Sequence, residues 1–134
     1  MQRTFTALLV AAMTALAAQP TAAHHSFAAE FDANSPIELT GTVTKVEWAN
    51  PHTFFYIDVT TPKGDVENWA LEMGSPNGLM RRGWTRDSMK IGDVVTVTGS
   101  RAKNGSTLGN ARSVTLSTGK QLFAGSSQEN AETN

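Results

Sequence analysis

The sequence predicts a mainly β domain of the OB-fold type: an antiparallel barrel of five to six strands with one short helix between strands three and four. Three observations predict this fold class. Short runs of alternating apolar residues are separated by Gly, Pro and Asn. A single helical segment follows the third run, and the first run changes its apolar parity midway, as a strand shared by both halves of a small barrel would. The alternative architecture is an open antiparallel sandwich with the helix on one face.

The first predicted strand covers residues 38–48, ELTGTVTKVEW. The apolar Val43 stands at an odd-numbered position, whereas the apolar Val46 and Trp48 stand at even-numbered positions. Because side chains alternate between the two faces of a strand, this switch requires a bulge or a sharp bend, and Gly41 makes a bend easier.

The second and third predicted strands form a hairpin. Residues 49–51, Ala-Asn-Pro, make a turn, and strand two follows over residues 52–60. Its apolar residues at 55, 57 and 59 face one way, and the opposite face carries His52, Phe54, Tyr56 and Asp58. The loop at residues 62–65 leads into strand three, residues 66–73.

A short helix comes next. Ser75 is a suitable N-cap and Pro76 suits the first helical position. The helical segment is predicted to end near Arg86, and residues at helical spacing form its apolar stripe: Leu79, Met80, Gly83 and Trp84.

The remaining strands are predicted at residues 94–102, 110–116 and 121–123. The sequence Lys-Asn-Gly-Ser at 103–106 indicates a tight hairpin. The barrel domain is therefore expected over residues 38–124, after an N-terminal extension at residues 24–37. The polar residues 125–134 are expected to be a disordered tail.

The first 23 residues have the composition of a cleaved signal peptide. Arg3 precedes an apolar stretch at residues 5–18, and small residues lead up to Ala23. The stretch is short and Ala-rich for a membrane span, so we expect no stable membrane insertion after cleavage. An uncleaved anchor is the alternative. The expected location is the periplasm.

Charge and composition exclude several classes of function. The formal net charge is −1, which lacks the basic face that a nucleic acid would need. There is no cysteine, so the core alone must stabilise the domain. Ser26 beside His25 lacks an orienting acid, and no phosphate-binding glycine loop is present. We therefore expect a binding protein and not an enzyme.

Three stretches resemble a known family. They are HHSF at the predicted mature start, VEWANPH at residues 46–52 and ENWALEMGSPNGLMRRGW at residues 67–84. They resemble the small exported bacterial proteins grouped as domain of unknown function 6152, from His24 to about Phe123. The resemblance implies a periplasmic β-domain and brings no activity or site residues with it.

The histidines predict a metal site, with copper as the expected ion. Cleavage after Ala23 would give His24 a free α-amine beside its imidazole, and the two nitrogens could chelate one ion. Cleavage one residue earlier would place His24 second and His25 third, where backbone amides also assist copper. His52 could add a nitrogen, and oxygen ligands could come from Glu30, Asp32 or Glu72. The alternative is that these histidines are solvated and bind nothing.

An aromatic face is the second candidate site. Phe54 and Tyr56 alternate on strand two, and Trp48 and Trp69 come from neighbouring strands. In OB-folds this face binds ligands, so the four side chains could dock a small ligand or a periplasmic partner protein. The alternative is that they pack in or beside the core.

Overall fold

The computed structural model describes residues 27–126. The predicted signal peptide, His24 and His25, and residues 127–134 of the predicted tail lie outside the described residues. The predicted order of strands and helix is confirmed, with one additional short helix at the start. The elements are α1 (Phe27–Glu30), β1 (Phe31–Glu47), β2 (Phe54–Thr60), β3 (Val66–Glu72), α2 (Pro76–Arg81), β4 (Val94–Ala102), β5 (Leu108–Thr115) and β6 (Gln121–Phe123).

The strands pair into a closed ring of OB-like topology. The ring runs β1–β2–β3–β5–β4 and back to β1, and β6 pairs with β5 outside it. Every pairing is antiparallel except that of β3 with β5, which is parallel. Five strands cannot alternate in direction all the way around a ring, so one pair of neighbours must run the same way.

The predicted irregularity of the first strand is confirmed. The register of β1 against β2 shifts between Val43 and Lys45. Gly41 lies close to β2: a Cβ atom there would stand 2.5 Å from the carbonyl oxygen of Asp58. β1 also begins at Phe31 and not at residue 38, because Phe31 pairs with Ala102 at the end of β4.

The helix begins as predicted and ends earlier. Ser75 is the N-cap, with its hydroxyl accepting a hydrogen bond from the Gly78 amide at 3.2 Å, and Pro76 is the first helical residue. The predicted apolar stripe is wrong at Met80, which is 50% exposed. The helix stops at Arg81 and Gly83 turns the chain with a φ of +95°, so helical spacing does not continue to Trp84.

The core fills the inside of the ring. Its fully buried side chains come from all the ring strands and from α2, among them Val43, Phe55, Ile57, Leu71, Leu79, Val97 and Val114. Alternation along each strand puts these residues inside and their polar neighbours outside. Within residues 27–126, no helix has the length and hydropathy to cross a bilayer.

Candidate functional site

An open cavity lies where α1, the β1–β2 connection and the end of β3 meet. Its volume is about 810 Å³. Its wall is formed by Ala29, Glu30, Glu47, Ala49, Asn50, Pro51, His52, Phe54 and Glu72. The connection between the first two strands and the outer face of β2 and β3 are the regions with which OB-folds bind ligands.

Strand register places three of these side chains in one row. Glu47 of β1 is the Cα partner of Phe54 in β2, and Phe54 is the partner of Glu72 in β3. Side chains of directly opposed residues lie on the same face of a sheet, about 5 Å apart at Cβ. The aromatic ring of Phe54 therefore stands between two carboxylates.

His52 has a ring orientation that leaves one nitrogen available. Its Nδ1 lies 3.1 Å from the carbonyl oxygen of Met73 and 3.4 Å from Oε1 of Glu72. A carbonyl oxygen only accepts hydrogen bonds, so Nδ1 carries the proton of the neutral ring and donates it. The lone pair then belongs to Nε2, as in metal-ligating histidines that donate their other nitrogen to a carbonyl or carboxylate.

Glu47 is fixed by two neighbours. The Tyr56 hydroxyl donates to Oε2 of Glu47 at 3.0 Å, and the Lys45 ammonium forms an ion pair with Oε1. The hydrogen bond from Lys45, followed by that from Tyr56, lowers the pKa of Glu47. Burial, and next the hydrogen bond to Glu47, raises the pKa of Tyr56. The cavity edge thus presents an ionised carboxylate near neutral pH.

Of the three predicted metal-binding histidines, the structure describes only His52. Among residues 27–126, no group of three or more His, Asp or Glu side chains is arranged to hold a metal ion. His24 and His25 precede the described residues. The chain that follows them nevertheless lines the cavity at Ala29 and Glu30, which belong to α1.

The four predicted aromatic residues do not form one face. Phe54 lines the cavity, and Tyr56 is on the same side of β2. Trp48 packs against the core. Trp69 is 4% exposed, is the strand partner of the buried Ile57, and donates its Nε1 hydrogen to Glu67 at 3.1 Å. Trp69 therefore packs in the core, as the alternative interpretation of the aromatic residues expects.

Sequence reasoning missed Glu47. A signal for it was present, because the parity switch in the first strand puts Val46 and Trp48 inward and hence Glu47 outward. Its position opposite Phe54 depends on the bulge between Val43 and Lys45, and a sequence does not give that register.

Comparison with known proteins identifies one family. A family model described as a family of unknown function (DUF6152) matches residues 11–111 of the chain. No curated protein matches. The family match agrees with the three sequence stretches that resembled it.

Proposed function

The chain belongs to the family of unknown function DUF6152, and from this premise we propose that it is a periplasmic binding protein for a transition-metal ion, with copper as the first candidate. The ion is held in the cavity by His52 together with His24 and His25. The observation that supports this proposal is the hydrogen bond from Nδ1 of His52 to the Met73 carbonyl, which directs the lone pair to Nε2.

The position of the first described residues supports the same proposal. Residues 29 and 30 form part of the wall that contains His52, so His24 and His25 are within a short length of chain of it. Imidazole and amine nitrogens suit copper, zinc and nickel, and copper binds such sites most tightly among the divalent ions. Glu30 and Glu72, which line the cavity, are candidates for an oxygen ligand.

The proposal includes His24 and His25 because His52 alone does not make a metal site. Residues 27–126 contain no complete group of metal ligands, so His52 needs donors from outside this range. Cleavage of the signal peptide would supply them by exposing the α-amine of His24.

Calorimetric titration of Cu(II) into the mature chain beginning at His24 tests the proposal. We expect His52→Gln to weaken copper binding about tenfold or more, as the loss of a metal ligand or of a group that orients one does. A variant with one extra residue before His24 should change the visible spectrum of the copper complex. Asp58→Asn, on an exposed part of β2, is the control and should bind as the wild type does.

Two results would contradict the proposal. One is an unchanged affinity in His52→Gln. The other is the absence of saturable copper binding to the correctly processed chain, confirmed by mass spectrometry to begin at His24.

A further inference from the structure

The cavity is larger than a metal ion and its ligands require. Its volume of about 810 Å³ lies within the range of about 300–1,000 Å³ that is typical of small-molecule sites. Four apolar residues, Ala29, Ala49, Pro51 and Phe54, form part of its wall. The space beside His52 is therefore suited to an organic molecule with an apolar frame.

The charge of the wall selects the kind of molecule. Three carboxylate residues, Glu30, Glu47 and Glu72, line the cavity, and no Lys or Arg of the described residues does. The nearby cation, Lys45, is bound to Oε1 of Glu47 and lies 5.2 Å from the centre of the Tyr56 ring. Each carboxylate oxygen of Glu47 keeps a further lone pair, so the wall complements a positive charge.

The row across the three strands supplies a specific contact for that charge. Phe54 stands between Glu47 and Glu72 in the sheet register. A cation within about 6 Å of an aromatic ring centre is attracted by the ring face, and the adjacent carboxylates add to this attraction.

We propose that the cavity binds a small organic ammonium compound, with the ammonium group at the Glu47–Phe54–Glu72 row and the carbon frame against Ala49 and Pro51. This inference does not depend on the metal proposal. The metal requires His52 and the processed N-terminus, whereas the ammonium compound requires Phe54 and the carboxylates.

Titration of chelator-treated mature protein with choline and with n-butylammonium, followed by NMR chemical shifts, tests the inference. We expect at least one of the two to bind saturably with shifts at residues 47–54. Their neutral counterparts, 3,3-dimethyl-1-butanol and 1-butanol, should bind more weakly. Phe54→Leu, which keeps an apolar side chain without the ring, should raise the Kd about three- to tenfold.

Glu47→Gln should also raise the Kd, and Asp58→Asn on the same strand face should leave it unchanged. Equal binding of the ammonium compounds and their neutral counterparts would overturn the inference, as would the absence of saturation by either ammonium compound at millimolar concentration. The variant with one extra residue before His24 separates the two proposals, since it should change the copper spectrum and leave the Kd of the ammonium compound unchanged.

Discussion

Single side chains at the cavity owe their positions to hydrogen bonds with the backbone and with each other. Nδ1 of His52 is directed to the Met73 carbonyl, and Glu47 accepts from Tyr56 while pairing with Lys45. These contacts orient the imidazole of His52 and hold an ionised carboxylate at Glu47 beside Phe54. The sequence identified His52 as a ligand candidate because of its residue type, but these contacts depend on strand register.

Tyr56 reports on this arrangement, because it is the chain's one tyrosine. Burial and the hydrogen bond to Glu47 raise its pKa, so we expect its ultraviolet titration midpoint to lie above the ordinary value of about 10. The folded protein keeps the proton to higher pH than the unfolded chain does. Stability should therefore fall as the pH rises above about 10 and level off beyond the folded midpoint.

Substitution at Glu47 separates the two causes of this shift. In Glu47→Gln the titration midpoint of Tyr56 should move down but stay above the ordinary value, because burial is the larger cause. Asp58→Asn should leave the midpoint where it is. An unchanged midpoint in Glu47→Gln would show that the carboxylate does not contact the phenol in solution.

Among the elements, β1 determines the shape of the site. It pairs with β4 through residues 31–42 and with β2 through residues 42–47, so it must bend where it passes from one partner to the other. Gly41 lies at this point, close to the backbone of Asp58. The bend brings Glu47 and the β1–β2 connection to the cavity.

Gly41→Ala should destabilise the fold by about 1–3 kcal/mol, the usual cost of overpacking. The added Cβ would stand 2.5 Å from a carbonyl oxygen, and backbone atoms cannot move away as a flexible side chain can. Urea denaturation measures the difference. Glu38→Ala, exposed on the same strand, is the control and should stay within about 0.5 kcal/mol of the wild type; equal stability of both variants would contradict the close approach at Gly41.

Elements bounded by turn residues were the ones that the sequence predicted best. β4 and β6 have the predicted bounds, and α2 begins at Pro76 as predicted. The start of β1 was missed because residues 31–37 do not alternate, and the burial of Phe31 goes with contacts that the sequence does not give, its pairing with β4 and its stacking on Phe27. The end of α2 was missed because Gly83, with its φ of +95°, ends helical spacing while Leu79 and Trp84 both remain buried.

For the whole molecule, the order of strands and helix was enough to predict the OB-like fold, because few topologies have one helix between the third and fourth of five strands. The cavity could not be predicted in the same way. Its wall combines α1, the β1–β2 connection and the ends of β2 and β3, which come together only when the ring closes. The ring closes through the short parallel pairing of residues 70–72 with residues 108–110.

Leu71 lies at this closure and tests whether the ring and its core unfold as one unit. Its side chain is fully buried, and a Cβ added at its strand partner Gly109 would stand 3.1 Å from Cδ2 of Leu71. Leu71→Ala should therefore cost about 2–5 kcal/mol, whereas Val66→Ala, at a side chain that is 63% exposed on the same strand, should cost far less. Because one continuous core joins all the ring strands, tryptophan fluorescence and far-ultraviolet circular dichroism should give coincident urea midpoints in the wild type and both variants. Separate midpoints for the two probes would show that the closure at β3 and β5 opens before the rest of the ring, and the cavity at its edge would then open with it.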